Sequence, residues 1–413
     1  MSEAGQPTST AQLLIDAATA LLRDAGPVGV TFRSVADVAQ VSVATVQHHF
    51  GSKEHLLLLV QQAALRDDAE RLRPFAQALP AAAPNLEAVH ATVRSLVADA
   101  CGANADRTRA RLSALMAAAR NGSVRPAARR WLSAHRRFFG RMLAGVVPAP
   151  ENAARYLVEV MIGVEVVSLG CRKQPIVPLL NDELLRYAVE AALGRCKPAC
   201  PDAFRVNVTA LLHLRKAQHA IAASDKSARV RHDILNATAT VLARGGLGEL
   251  THRAVAKEAG IGASLVSYHF RGIGDLLHAA YRHIHDGFAR VAMPPRGPAM
   301  GPFAAVLAAM LGTRHGGVAS VLGSLEALVA SAYDEQLADM AWQTRLMRGV
   351  YYLHAPDAEE FVLKSADFFA HMLSIWALGL SLASHAAWSE RRFEACLRGR
   401  FGAVKPLFPP EKV

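Results

Sequence analysis

Apolar residues recur at intervals of three and four along nearly the whole chain, the period of helices with one buried face. Leu14, Ala17, Ala18, Leu21 and Leu22 predict a first helix that Gly26-Pro27 ends. Thr31 stands before the next run, where its hydroxyl can accept an orphan backbone N–H. Val35, Ala36 and Ala39 then share a face, and Gln40-Val41-Ser42 breaks the pattern. Ser42 is placed to cap a second short helix in which Val46, His49 and Phe50 are expected to face inward. Gly51-Ser52 starts a longer helix through Lys53 and Leu56–Val60, expected to continue over Leu65–Leu79. Further amphipathic runs predict helices at Asn85–Cys101, Arg107–Arg120, Arg125–Val147, Glu151–Leu169 and Asp182–Leu193, with breaks at Pro80–Pro84 and Pro175–Pro178. Asp202–Ala223 reads as a helix that either closes this unit or bridges to the next.

The layout then starts again. Thr251–Phe270 aligns without a gap on Thr31–Phe50, pairing Thr31 with Thr251, Arg33 with Arg253, Val35-Ala36 with Val255-Ala256, Val46 with Val266 and His49-Phe50 with His269-Phe270. Ile234, Ala237, Val241 and Leu242 form the helix before it, Gly245-Gly246 stop that helix, and Gly260-Ile261-Gly262 make the turn. A repeat of this length is a duplicated domain and not a solenoid unit. Helices are expected to follow at Asp275–Val291, Phe303–Leu311, Val318–Ala332, Leu337–His354, Phe361–His385 and Arg391–Arg400. No alternating strand pattern occurs, so the fold class is all-α. The expected domains are 1–60 and 224–282 as heads, 61–223 and 283–413 as helical cores.

Two short helices joined by a three- to four-residue turn make a helix-turn-helix, whose second helix reads the major groove. At this point the sequence resembles the TetR-type transcriptional regulators. The first unit carries Thr31, Arg33, Val35-Ala36, Val41-Ser42, His49-Phe50 and Gly51-Ser52-Lys53-Glu54; the second carries Thr251, Arg253, Val255-Ala256, Gly260-Ile261 and Tyr268-His269-Phe270. The family pattern has Tyr two positions before the His, where this chain has Gln47 and Ser267, and Gly272-Ile273-Gly274 replaces Ser-Lys-Glu in the second unit.

The resemblance implies that each head contacts double-stranded DNA. The expected contact residues are Thr31, Arg33, Ser42, Ala44, Thr45, Gln47, His48 and Lys53 in the first head. In the second they are Thr251, Arg253, Ser264, Leu265, Ser267, Tyr268 and Arg271. Gln47 and His48 offer hydrogen bonds to base edges or phosphates, whereas Leu265 offers only an apolar contact. His49, His269, Phe50 and Phe270 are expected to pack inward. The resemblance also implies a small, largely apolar effector, carrying an acidic group if an Arg turns inward. Its expected liners are Met116, Trp131, Phe138 and Met161 in one core and Trp342, Met347, Tyr351 and Met372 in the other. Helices Glu151–Leu193 and Phe361–Arg400 match where the family dimerises. They are expected to pair either within one chain, as a pseudo-dimer, or between two copies. A reading as a ligand-sensing or protein-interaction module, in which one head, the second sooner than the first, has lost DNA binding, stays open beside this one.

Composition narrows the alternatives. The formal net charge of +11 favours a polyanionic partner. The Arg-rich stretch Arg107–Arg141, free of acids, is expected either to face an anion or to lay guanidinium stems along helices. Five cysteines at irregular spacing exclude a disulfide framework, and Cys196/Cys200 lack a second pair at zinc-finger spacing. No His-Glu-x-x-His, Gly-x-Ser-x-Gly or phosphate loop points to catalysis, and no cofactor is expected. Gly245-Gly246-Leu247-Gly248 lies between helices and not after a strand. The N-terminus has no signal-peptide pattern, and Met372–Leu382 reads as too short and polar to cross a membrane. A cytoplasmic protein is the resulting expectation.

Overall fold

The computed structural model describes residues 9–78, 84–195, 200–218, 226–291, 321–349, 365–388 and 390–407. Among these residues the regular structure is helical, with no strand. The first head is α1 (Thr10–Gly29), α2 (Phe32–Ala39) and α3 (Val43–Phe50), followed by α4 (Lys53–Glu70). Side-chain caps fix where each begins. Ser9, Thr31, Ser42 and Ser52 accept from backbone N–H groups of Gln12, Ser34, Thr45 and His55 respectively. Gly26 takes φ 71°, a left-handed conformation that interrupts α1 just before Pro27.

Leu14, Ala18, Leu22, Val35, Ala36, Val46, Phe50, Leu56 and Val60 close this head around a small core of its own. His49 departs from expectation: it is exposed, and only Val46 and Phe50 of α3 turn inward. The expected continuation of α4 to Leu79 also fails, because α4 stops at Glu70 and α5 (Leu72–Gln77) follows.

The first core comprises α6 (Leu86–Cys101), α7 (Ala105–Arg120), α8 (Arg125–Leu143), α9 (Pro150–Leu169) and α10 (Val177–Ala192). Pro178, read as part of a breaking loop, instead sits in the first turn of α10, where a missing N–H costs nothing. The second head is α12 (Lys226–Gly245), α13 (His252–Ala259) and α14 (Ala263–His269), leading into α15 (Ile273–Val291), with α11 (Asp202–Gln218) before it. Ile234, Val241, Leu242, Val255, Ala256, Val266, Phe270, Leu276 and Tyr281 repeat the core of the first head. The second core adds α16 (Val321–Ser331), α17 (Ala338–Met347), α18 (Ser365–Ala387) and α19 (Glu390–Val404). The expected helix Phe303–Leu311 lies outside the described residues.

The two cores are one. A single buried cluster runs from Val93, Leu115, Phe138, Val160 and Val164 of the first unit to Leu325, Phe368, Met372, Ile375 and Trp376 of the second. Burying a side chain such as Phe138 or Phe368 is worth about 1.5–3 kcal/mol. At the centre α9 crosses α18 with backbone nearly on backbone. A Cβ on Gly379 would lie 1.8 Å from the Glu159 carbonyl oxygen, and one on Gly163 would lie 2.1 Å from that of Ile375. Glu159, 2% exposed in the middle of α9, is gripped by Arg400 Nε and Nη2 at 3.1 and 3.0 Å and by Trp376 Nε1 at 2.9 Å. Tyr187 of α10 stacks edge-on against Phe368 of α18.

The helix α11 bridges the units, with the Phe204 ring 4.7 Å from His371 and 5.1 Å from Phe368. The stretch Asp367–Ala387 is long and apolar enough to cross a membrane by length and composition, longer than its sequence suggested. It is 94% buried inside the fold as the central core helix.

Candidate nucleic-acid interface

Each head folds so that α2 or α13 supports a short recognition helix by one apolar face and leaves the other bare. In the first head the turn places Gln40 at φ 55°, left-handed backbone for a non-glycine residue, with its own Nε2 donating to Asp37 O at 2.8 Å. The equivalent position in the second head is Gly260, φ 66°, which adopts this geometry without strain. Of the expected contacts in the first head, Arg33, Ser42, Ala44, Gln47, His48 and Lys53 are exposed and Thr45 is half-buried. Thr31 is half-buried with its hydroxyl committed to the cap on Ser34 N. Ser42 Oγ similarly serves the N–H of Thr45.

In the second head Thr251, Arg253, Ser264, Leu265, Ser267, Tyr268 and Arg271 are all exposed, Tyr268 to 80%. Gly262 precedes α14 without a side-chain cap, whereas Thr251 caps α13 at Ala254 N. Ser267 Oγ lies 3.1 Å from His252 Nδ1, tying the recognition helix to its support. His269 is half-buried, so the expected inward packing holds for Phe270 and only in part for its neighbour. Arg231 of α12 lies over the Phe270 ring at 4.2 Å and donates to His269 O.

Sequence reading missed Val43, 44% exposed at the start of α3. The signal was its place directly after the cap, ahead of the inward-facing Val46. It also missed His252, whose partner Ser267 is brought near only by the turn.

Part of the Arg-rich stretch is spent within the molecule, while Arg130, Arg137 and Arg141 are exposed. Arg109 donates to Ala332 O at 3.2 Å and lies over the Tyr333 ring, Arg129 Nε donates to Ala387 O at 2.8 Å, and Arg120 pairs with Glu326 at 2.8 Å. These bonds join the first unit to the second. Tyr333 extends the junction by accepting or donating at Ser113 Oγ (3.0 Å) and donating to Leu22 O of α1 (3.1 Å).

The expected effector liners lie in the shared core. Met116, Trp131, Phe138, Met161, Met347 and Met372 are buried in it, and Trp342 packs against its edge. Tyr351 lies outside the described residues. Around Trp131 a charge network ties α4 to the first core. Arg111 lies between Glu165 (2.6 Å) and Asp68 (3.5 Å), Trp131 Nε1 donates to Asp68 at 2.8 Å, and Arg71 pairs with Asp99 at 2.7 Å. Burial alone would raise the Asp68 carboxyl, but Arg111, Arg71, His135 and the Trp131 indole outweigh it and hold it below the usual range. His135, 3.8 Å from the Trp131 ring, has its pKa pushed down to about 3, chiefly by burial. Among the described residues no group of three His, Cys, Asp or Glu side chains is placed to hold a metal, and Cys196 lies outside them.

Both heads, and the helices behind the first, have counterparts among known proteins. Residues 14–60 and 234–280 each match the N-terminal domain of bacterial regulatory proteins of the tetR family, and residues 84–195 match the tetracyclin repressor-like C-terminal domain. The chain belongs to the TetR family. It carries that family's N-terminal domain twice, in tandem. A curated relative is the HTH-type transcriptional regulator BetI of Rhizobium meliloti (strain 1021), 37% identical over 97 residues. That match takes in 23% of this chain and 45% of the relative, less than half of its length. Among solved structures, the multidrug binding protein EbrR complexed with imidazole aligns with 44% of this chain and 94% of its own, at 22% identity and a TM-score of 0.36. A transcriptional regulator from Rhodococcus sp. Rha1 aligns with 45% of this chain and 95% of its own, at 22% identity and a TM-score of 0.35.

Proposed function

We propose that this TetR-family chain is a ligand-responsive transcriptional regulator that acts as a single-chain pseudo-dimer and reads an operator with two unlike half-sites. The observation that carries the reading is the pairing of α9 with α18 inside one chain, through the Gly163/Gly379 crossing and the Glu159–Arg400 bond, with a complete head in each half. A helix-turn-helix protein needs two heads about one DNA turn apart. Here both belong to one molecule. The first head presents Val43, Ala44, Thr45, Gln47 and His48; the second presents Ser264, Leu265, Ser267 and Tyr268. Hydrogen-bonding Gln47 and His48 suit base edges or phosphates, and Leu265 suits a thymine methyl. Arg33, Lys53, Arg253 and Arg271 are proposed backbone contacts.

Effector binding in the cores would act by shifting the population between head arrangements. The Asp68–Arg111–Glu165 network supports this, because it couples α4, which descends from the first head, to α7 and α9. We place the domains at 1–60, 61–223, 224–282 and 283–413.

The test is selection of genomic fragments on the purified chain, with molar mass measured by light scattering in the same samples. A monomer of 44.2 kDa holding one asymmetric duplex is the expected result. Ala substitutions of Gln47-His48 and, separately, of Leu265-Tyr268 should each weaken retention. Retention that survives loss of the second set would mean that head has lapsed. A dimer carrying four heads would refute the single-chain reading.

A further inference from the structure

Arg345 is a buried cation without a counter-charge. It sits in the last turn of α17 and is 1% exposed. Its Nη1 donates to Ser168 Oγ of α9 at 2.7 Å, while Nε and Nη2 have no acceptor. Three other buried guanidiniums are matched by carboxylates: Arg111 by Glu165 and Asp68, Arg71 by Asp99 and Asp68, Arg400 by Glu159. The groups that favour its charged form are the thiols of Cys171 and Cys101, which do not outweigh its burial. Both thiols are raised by their own burial, Cys101 to about 12, so neither carries charge at neutral pH. Arginine keeps its proton in proteins, and an unpaired ion taken out of water is strongly disfavoured. The C-terminal ends of α9 and α17 lie beside it and lend partial negative charge, yet they give Nε and Nη2 no acceptor. A water molecule would complete the hydrogen bonds and leave the charge.

Nε and Nη2 form one edge of the guanidinium plane. On Arg400 this edge holds both oxygens of Glu159, at 3.1 and 3.0 Å. On Arg345 the same edge has no partner. The field around it is positive, since Arg345 and Arg348 both act with burial to push His371 down to about 3. The site is closed off from water: the buried Cys171 thiol acts on Arg345, and Ser168, its hydrogen-bond partner, also reaches Asn181 Oδ1 at 3.0 Å.

We propose that Arg345 anchors a binding site for a small organic carboxylate, held by two parallel hydrogen bonds from Nε and Nη2 where the two halves of the chain meet. Ser168 fixes the guanidinium from the first half and α17 carries it from the second, so the bound anion joins them. A carboxylate matches this edge in shape and single charge. A more highly charged phosphate would bring an excess of charge into a buried site. The proposal names an effector class for the regulator reading above and rests on that reading only for its consequence on DNA.

The experiment uses the full chain with sodium benzoate and sodium acetate, against sodium chloride and inorganic phosphate at matched ionic strength, read by calorimetric titration and thermal melting. Saturable carboxylate binding is expected, with a melting temperature raised by about 2–6 °C at ~100 times Kd. Arg345→Met should abolish both effects and, without anion, should melt no lower than the wild type. Should that variant fail to fold, Ser168→Ala keeps the charge and removes one anchor, and carboxylate binding should weaken by about fivefold. No carboxylate response in the wild type, an equal response in Arg345→Met, an unaltered one in Ser168→Ala or a preference for phosphate would each overturn the site. DNA retention is measured on the same samples: benzoate binding without DNA retention sustains the site and sinks the regulator reading, and DNA retention without benzoate binding does the reverse.

Discussion

Replacing Gly379 with Ala should separate the halves of the molecule. The added methyl would sit 1.8 Å from the Glu159 carbonyl oxygen, 2.7 Å from the Gly163 nitrogen and 2.9 Å from the Glu159 carbonyl carbon. All three are backbone atoms of a buried helix, so no side chain can swing aside. Restoring an ordinary contact of about 3.4 Å would require α9 and α18 to part by about 1.5 Å, at an overpacking cost of about 1–3 kcal/mol. The same shift would stretch the bonds from Arg400 and Trp376 to Glu159, and losing one partner of a buried ion pair costs about 3–5 kcal/mol. Against this, Ala improves helix propensity over Gly by about 1 kcal/mol. The net expectation is destabilisation by at least about 2 kcal/mol. Gly163→Ala should behave alike, and the double variant should cost less than the sum, because one separation accommodates both methyls. Gly140→Ala is the control: nothing lies within 4 Å of its added Cβ, so it should stabilise by about 0.5–1 kcal/mol. Urea midpoints of the four variants decide the matter. If Gly379→Ala is as stable as Gly140→Ala, α9 and α18 do not cross in solution as described.

Other outcomes follow from the same geometry. His135 and His371 are buried neutral, each with its pKa pushed to about 3. The unfolded chain therefore binds more protons between about pH 3 and pH 6.5, and stability should fall with acid from about pH 6.5 downward by about 1.4 kcal/mol per pH unit for each His. Denaturant midpoints from pH 8 to 4 check this, and His135→Asn with His371→Asn should flatten the slope if the imidazoles cause it. Gln40→Gly should stabilise the first head by up to about 1 kcal/mol by relieving its left-handed backbone, while Gly260→Ala should weaken the second by about 1 kcal/mol; hydrogen exchange resolves the two heads. Tyr333→Phe removes the hydroxyl shared by Ser113 and Leu22 O and should cost about 1 kcal/mol, with faster exchange in α1. Glu165→Gln should cost about 3–5 kcal/mol in thermal melting by leaving Arg111 with a weaker partner.

Local chemistry made both heads readable from sequence. Thr31, Thr251, Ser42 and Ser52 announce helix starts by hydroxyls that act within three residues, and Val46 and Phe50, four apart, mark one face. The same rule misplaced His49. It lies about 80° from the middle of that face, and a helix of 8 residues leaves such a position at its open edge. Pro178 was read as a breaker because its missing N–H matters in a helix interior and not in a first turn. What joins the halves was not legible. Glu159 and Arg400 are 241 residues apart, and a carboxylate in a run of Val, Met and Ile carries no mark of its partner. The guanidiniums of Arg109, Arg120 and Arg129 likewise look solvent-facing until Ala332, Glu326 and Ala387 are folded against them.

The crossing of α9 and α18 has a genetic consequence. When two identical subunits meet, every codon change appears on both sides of the contact and in both readers at once. Here Gly163 and Gly379, or Gln47 and Ser267, are encoded separately. One side can change while the other stays fixed, so under the proposed function each half-site preference is free to drift on its own. The tether also sets the local concentration of one half around the other. Dilution in a cell that makes few copies therefore does not part them.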